Sequence, residues 1–106
     1  MIKHKKIYKD FFKYAEQDFV PCELCGNQAV DVHHIEARGM GGSKTKDHIV
    51  NLMGVCRSCH NKCGANKSFN KKAWDSHLEF MYNYLNGNKE KLEKLVREYV
   101  DLQYPD

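Results

Sequence analysis

The 106-residue sequence predicts a single α+β domain, in which a small β-hairpin and helix are stapled by a metal ion and flanked by further α-helices. Two Cys-x-x-Cys pairs, two short strand-like runs between them, and apolar residues at helical spacing near both ends predict this class. A chain of this length buries roughly two-thirds of the surface that its unfolded form exposes, which gives only a small core. We therefore expect a structural metal ion to contribute much of the stability.

The N-terminal segment predicts a helix over about residues 7–17, because Ile7, Phe11 and Tyr14 fall on one helical face. Pro21 is expected to end this helix. The Pro-Cys-Glu-Leu-Cys-Gly segment at residues 21–26 then predicts a tight turn, since proline and glycine bracket it.

Two strands and a helix are expected in the centre of the domain, over about residues 22–63. Apolar runs predict strands over residues 29–35 and 51–55, and the glycines between them predict a loop over residues 38–46. A helix is expected from Arg57 to about Lys62, before a loop around Gly64.

Two C-terminal helices are expected within about residues 71–102. The first has an apolar stripe and a stop at Gly87. The second can be capped by Asn88. Apolar stripes of this kind usually face the hydrophobic core. The residues of the stripes are Trp74, Leu78, Met81 and Leu85 in the first helix, and Leu92, Leu95, Val96 and Tyr99 in the second.

The composition excludes a membrane-spanning segment, because no run approaches the ~18 apolar residues that a span requires. Lysines and Asp10 interrupt the N-terminal region, so we expect no secretory signal there. Five cysteines without such a signal indicate a reducing, cytoplasmic compartment, where paired cysteines more often bind metal than form disulfides.

Positive charge is concentrated in the middle of the chain. The formal net charge is only +3, but residues 37–72 carry eight lysines or arginines against one acid, Asp47. A basic segment of this kind predicts contact with a polyanion. The candidate contacts to DNA are Arg38, Lys44, Lys46, Arg57 and Lys62.

The four paired cysteines predict a zinc site. Cys22 and Cys25 share the spacing of Cys56 and Cys59, and two such turns supply the tetrahedral set of four sulfurs that Zn²⁺ prefers. A redox dithiol or buried free cysteines would not need a second matching pair. Cys63 is left over, and a partly buried free thiol is its simplest interpretation.

Histidines and an asparagine lie between and beside the cysteine pairs. They are His33 and His34 at the end of the first predicted strand, Asn51 five residues before Cys56, and His60 directly after Cys59. The order and spacing of these residues resemble the HNH nucleases of the ββα-metal class. The resemblance covers about residues 22–63 and does not extend to the C-terminal helices.

The resemblance implies a DNA endonuclease that hydrolyses phosphodiester bonds with a histidine base and one divalent cation, Mg²⁺, Mn²⁺, Ni²⁺ or Zn²⁺. It implies that His34 is the general base and that His33 and His60 are metal ligands. Asn51 would brace the hairpin and orient the base. It also implies a bacterial or phage setting, in the bacterial cytoplasm or an infected host, and possible larger bacterial or phage protein partners.

Two features separate the sequence from the fullest form of that family. Many relatives carry another ligand one helical turn after the helix histidine, where this chain has Gly64; Asn66, Asn70 or His77 are candidate substitutes. In addition, adjacent residues of a regular strand face opposite sides. His33 and His34 can therefore share one site only if the strand twists or bulges there.

Two other functions remain open from the sequence. One is a zinc-knuckle module that binds nucleic acid without cutting it. The other is a structural zinc domain that contacts proteins through the helix around residues 74–85. His4, His48 and His77 have no assigned role, and we expect them at the surface.

Overall fold

The protein has an α+β fold, as the sequence predicts. A computed structural model describes residues 3–37, 44–65 and 67–104. Within these ranges a two-stranded antiparallel sheet is surrounded by helices. The elements in chain order are α1 (Lys3–Phe12), β1 (Asp31–His34), the 3₁₀ turns Lys44–Lys46 and Ile49–Asn51, β2 (Leu52–Val55), α2 (Arg57–Ala65), α3 (Lys67–Tyr84) and α4 (Lys89–Gln103).

Helix α1 begins and ends earlier than the predicted range of residues 7–17. The helix ends because Lys13 adopts a left-handed conformation, with φ of 60°, and the Tyr14 N–H closes the last turn on the Lys9 carbonyl. Pro21 therefore lies well beyond the helix. The buried face of α1 carries Tyr8 and Phe12.

The hairpin pairs β1 with β2 in a regular register, with His33 opposite Met53 and His34 opposite Leu52. Both strands are shorter than predicted, and Asn51 belongs to a 3₁₀ turn that leads into β2. Every residue of β2 is buried. Gly54 is required there because a Cβ would lie 2.8 Å from the Tyr8 hydroxyl oxygen.

Helix α2 continues through Gly64 to Ala65, where the sequence predicted a loop. Cys63 is buried near its end, so packing extends the helix beyond the point at which propensity alone would end it. Helix α3 likewise begins at Lys67, ahead of the predicted start near residue 71.

The C-terminal predictions on capping and packing are confirmed. Gly87 has φ of 75° after α3, and the Asn88 side chain accepts the Lys91 N–H at the start of α4. The apolar stripe of α4 packs with Tyr8, Phe12 and Leu52 in one core cluster, and a second cluster surrounds the cysteines. No helix within the described ranges is long and apolar enough to cross a membrane.

Candidate functional site

The four paired cysteines meet at one point. The sulfurs of Cys22, Cys25, Cys56 and Cys59 all lie within 4.8 Å of one another. The Cys25 and Cys56 sulfurs are 3.6 Å apart. A tetrahedral zinc ion with Zn–S bonds of ~2.3 Å separates its sulfurs by about 3.8 Å, so the donor set fits this ion. The cluster can therefore hold a structural zinc.

Backbone hydrogen bonds build the two turns that carry these thiols. The Gly26 N–H closes the first turn on the Cys22 carbonyl at 2.9 Å, and Gly26 has the φ of 83° that glycine adopts easily. In the second turn the Cys59 N–H donates to the Cys56 sulfur at 3.4 Å. Burial opposes ionisation of Cys22, but backbone N–H groups of Cys56 and Cys25 lower the pKa of its thiol to about 7. The first turn therefore favours a thiolate at Cys22, which is the form that binds zinc.

Cys63 does not belong to this cluster. Its side chain is buried on α2, and burial raises the pKa of its thiol. A neutral, buried thiol is a poor metal ligand.

His33 faces α2 and meets the helix histidine. The rings of His33 and His60 are 5.1 Å apart between centroids. The Nε2 atom of His33 is buried and has no hydrogen-bond partner among the described residues. Burial, with the nearby His60, lowers the pKa of His33 to about 4. His33 is therefore a neutral imidazole with a buried nitrogen available to a ligand.

Asp31 joins His33 and His60 on this face of the hairpin, and sequence analysis did not identify it. Its carboxylate accepts a hydrogen bond from His60 Nδ1 at 2.9 Å and one from Arg57 Nε at 3.0 Å. The bond from His60 is the main reason why the pKa of Asp31 lies below its usual value. Strand periodicity could have found Asp31, because residues i and i+2 lie on the same face.

His34 leaves β1 on the other face. Its Nε2 atom lies 2.7 Å from Asp47 Oδ1, and its ring lies 4.6 Å from that of His4 on α1. The register is regular and no bulge turns the strand. The two adjacent histidines therefore serve different clusters, and the structure does not bring His34 into contact with His60.

Asn51 joins the end of β1 to the segment before β2. It is fully buried, and its Oδ1 accepts the Glu36 N–H at 2.7 Å. Its Nδ2 donates to the carbonyls of Glu36 and Lys46, at 3.0 and 2.9 Å. These bonds hold the segments that carry His34 and Asp47 side by side.

The basic residues predicted to contact DNA differ in their surroundings. Lys44 and Lys62 are exposed. Lys46 lies 3.5 Å from Glu36 and above the Tyr99 ring, and Arg57 pairs with Asp31, so both have partners within the fold. Arg38 lies outside the described residues.

Helix α1 adds positive charge that the chain-wide count concealed. Four lysines of α1 lie close in sequence. Asp10 on the same helix pairs with Lys6 at 2.7 Å, and acids after the helix cancel the remaining charge in the count. The four lysines occupy the element that also carries His4 and are Lys3, Lys5, Lys6 and Lys9.

The expectation that His77 lies at the surface is wrong. Its side chain and that of Glu23 are fully buried. His77 Nδ1 is hydrogen-bonded to Glu23 Oε1 at 2.6 Å, and Nε2 donates to the Ile49 carbonyl at 2.8 Å. Glu23 also accepts bonds from the Tyr8 hydroxyl and the Gly54 N–H. With both ring nitrogens bonded, His77 cannot replace the missing metal ligand.

The other residues without an assigned role are also placed by the fold. His48 is half-buried, and its Nδ1 accepts the Val50 N–H to cap the 3₁₀ turn Ile49–Asn51. Asn70 has a buried Oδ1 without a hydrogen-bond partner among the described residues. Asn66 lies outside those residues.

Comparison with known proteins found one curated relative and one family. The chain is 32% identical over 65 residues to the "Uncharacterized protein YdfU" of Escherichia coli (strain K12). That alignment covers 61% of this chain and 19% of the relative, so the chain spans a small part of that protein's length. No solved structure matches the chain. A family profile matches residues 3–90, which is most of the chain, and the chain therefore belongs to the family described as "Protein of unknown function (DUF968)".

Proposed function

We propose that this protein is a metal-dependent DNA endonuclease, built on a hairpin and helix that a cysteine-bound zinc ion staples together. The observation that carries the proposal is the pair formed by His33 and His60. His33 presents a neutral imidazole whose Nε2 is buried and unpartnered among the described residues, and it faces His60 on α2. Such a pair is suited to a divalent cation.

Asp31 supports this role for His60. A carboxylate can only accept a hydrogen bond, so His60 Nδ1 carries the proton in the bond of 2.9 Å. The other nitrogen, Nε2, then carries the lone pair that binds a cation. Carboxylates behind metal-binding histidines commonly fix the tautomer and orientation of the ring in this way.

Asp47 fixes the tautomer and orientation of His34, the proposed general base. Because Asp47 Oδ1 accepts from His34 Nε2 at 2.7 Å, the lone pair of the neutral ring lies on Nδ1. The Asp47 side chain is almost fully buried, with 4% exposed, so it holds the ring in a fixed orientation. We propose that Nδ1 accepts the proton of the attacking water.

His34 is the last residue of β1, so both imidazoles lie at one end of the hairpin, one on each face. We propose that the scissile phosphodiester lies across this end. His34 then removes a proton from the water that attacks phosphorus. A divalent cation, when bound, stabilises the negative charge on the phosphate and the departing 3′ oxygen.

The positive charges needed to hold a DNA backbone come from two parts of the chain. The exposed Lys44 and Lys62 belong to the predicted set, and the lysines of α1 add to it. Contacts of this kind bind phosphate without reading bases. Binding that weakens steeply with added salt is therefore expected.

A zinc-stapled module that binds nucleic acid without cutting it is the second candidate. Two observations favour it: the four cysteines are already clustered, and His33 and His34 lie on opposite faces of a regular strand. The third possibility, protein contact through the apolar stripe of α3, has less support because Met81 and His77 are buried within the fold.

A plasmid-nicking assay with added Mg²⁺, Mn²⁺ or Ni²⁺ separates the two candidates. We expect wild-type cleavage, and a loss of roughly 10²–10⁴-fold in rate for His34→Ala with DNA affinity retained. His48→Gln is the matched control, because His48 is another half-buried histidine that does not belong to either cluster. Wild-type protein that binds DNA but does not cut it with any of the three cations would support the binding module instead.

A further inference from the structure

We propose that His4, His34 and Asp47 form a further metal site, for a divalent transition-metal ion, which is separate from the cysteine cluster. One potential ligand atom from each of the three side chains lies within 4.8 Å of the other two. Sequence analysis gave His4 no role, and Asp47 was only the single acid of a basic segment. The fold brings His4 of α1 and Asp47, which lies between the two 3₁₀ turns, beside His34 of β1.

The geometry needs only small side-chain movements to enclose an ion. Ligand atoms at ~2.1 Å from a tetrahedral ion lie about 3.4 Å apart. His34 Nε2 and Asp47 Oδ1 are already 2.7 Å apart, and the rings of His4 and His34 are 4.6 Å apart between centroids. An ion would widen the first separation slightly and draw the His4 ring inward.

The donor set determines which ions the site would take. Two imidazole nitrogens and one carboxylate oxygen suit Zn²⁺, Co²⁺ or Ni²⁺, and they leave coordination positions open to water. Ca²⁺ and Mg²⁺ prefer sites made of oxygen ligands alone. The absence of sulfur also distinguishes this site from the cysteine cluster, where soft thiolates hold the ion more tightly.

The three side chains are held where such a site needs them. His4 and His34 are half-buried, the Asp47 side chain is almost fully buried, and α1 packs against β1. Asn51 joins the end of β1 to Lys46, the residue before Asp47. This support restricts the movement of His34 and Asp47, so much of the cost of ordering the ligands is met when the chain folds.

Occupation of this site would change the protonation of His34. Without an ion, Nε2 carries the proton and donates it to Asp47, which leaves the lone pair on Nδ1. An ion bound to Nε2 takes the lone pair of that atom, so the ring proton must move to Nδ1. The ring stays neutral and no net proton is released, but Nδ1 can no longer accept a proton. If the proposed function is correct, an excess of Zn²⁺ therefore inhibits cleavage through this site.

Metal content measures the site independently of any activity. We would dialyse wild-type protein, His4→Gln and Glu93→Gln against excess Zn²⁺ and measure bound zinc per chain. Gln is close in size to His but does not supply the imidazole ligand, and Glu93 is an exposed residue of α4 that belongs to neither cluster. We expect His4→Gln to bind one zinc fewer than the other two proteins, with an unchanged circular dichroism spectrum. Equal zinc content in all three proteins would overturn the proposal.

Inhibition by zinc tests the functional consequence, which rests on the proposed function. We expect zinc added to a Mn²⁺-supported cleavage reaction to inhibit wild type and Glu93→Gln. His4→Gln should retain its cleavage and require at least about tenfold more zinc for the same inhibition. If His4→Gln binds one zinc fewer but wild-type protein does not cleave DNA, the proposed nuclease function is refuted and the proposed metal site is supported. Unchanged inhibition in His4→Gln would refute the regulatory consequence.

Discussion

Replacement of Glu23 tests the buried polar network that ties the first cysteine turn to α1 and α3. Glu23 accepts hydrogen bonds from Tyr8, Gly54 and His77, and its side chain is fully buried. His77 Nε2 faces the Ile49 carbonyl and therefore carries a proton, and one further proton lies between His77 Nδ1 and Glu23 Oε1. The network is therefore a buried pair that shares a proton.

The loss of stability on replacing Glu23 depends on which hydrogen-bonding atoms the new residue supplies. Glu23→Ala leaves three buried donors without an acceptor, and each such group costs about 1–3 kcal/mol. The three are neighbours and will not add fully, so we expect about 3–5 kcal/mol, as for other buried pairs that lose one partner. This is a large part of the ~5–15 kcal/mol by which a domain is stable.

Glu23→Gln should be far milder, because it can keep every hydrogen bond. Its amide oxygen can accept from Tyr8 and Gly54 at the position of Oε2. Its amide nitrogen can then donate to Nδ1 of a neutral His77, whose Nε2 still donates to the Ile49 carbonyl. The bond between the carboxyl and the imidazole is replaced by a neutral amide hydrogen bond, so we expect a change in the free energy of unfolding within about 1 kcal/mol.

Urea unfolding, followed by the fluorescence of Trp74 and by circular dichroism, measures both variants. Free zinc must be held at one concentration, because ligand that binds only the folded state raises apparent stability. Glu93→Ala and Glu93→Gln are the matched controls. Glu93 is 57% exposed beside Lys89, and each change should alter stability by no more than about 0.5 kcal/mol.

Two results would refute this reasoning about Glu23. If Glu23→Gln and Glu23→Ala destabilise the protein equally, the negative charge matters and hydrogen-bond satisfaction does not explain the network. If Glu23→Ala costs less than about 1 kcal/mol, the network contributes little to stability.

Three further predictions concern the metal clusters and their support. Cys22→Ser should lose zinc and most of the fold, because structural zinc contributes on the order of 10 kcal/mol to folding. Zinc content and circular dichroism measure both losses. A folded, zinc-loaded variant would contradict the four-cysteine site. Asn51→Ala should lower the free energy of unfolding in urea by at least about 2 kcal/mol, since it leaves the Glu36 N–H and two carbonyls without their partner. A near-neutral result would show that Asn51 does not brace the hairpin. Brief, mild chelation should stop cleavage before it changes the circular dichroism spectrum. An ion bound by histidines has open coordination positions and therefore exchanges faster than an ion in a closed four-sulfur site. Simultaneous loss of both signals at every chelator concentration would argue against a separate catalytic cation.

The cysteine cluster and the C-terminal helices could be predicted because their signals are local. The spacing of Cys22 and Cys25 defines a turn by itself, and the matching pair indicates a shared ligand. The stripe of α4 and the cap at Asn88 also depend on residues close in sequence. The end of α1 was misplaced because a left-handed Lys13 has no strong sequence signal.

The carboxylates could not be predicted because their roles depend on contacts distant in sequence. Glu23 and His77 are 54 residues apart, and Asp31 and His60 are 29 residues apart. Each looks like an ordinary polar residue until tertiary structure brings it beside its partner. Asp31 is a partial exception, since its position two residues before His33 places it on the same face of β1.

The alternation of a regular strand gives this hairpin two imidazole–carboxylate clusters. His33 belongs with His60 and Asp31 on the side of α2, and His34 belongs with Asp47 on the other side. The cysteine cluster supports both faces, so losing it cannot reveal which face carries an activity. Conversion of one carboxylate to its amide changes the protonation of a single histidine while preserving size. Asp31→Asn and Asp47→Asn therefore separate the contributions of the two faces, provided that zinc content stays equal in both proteins.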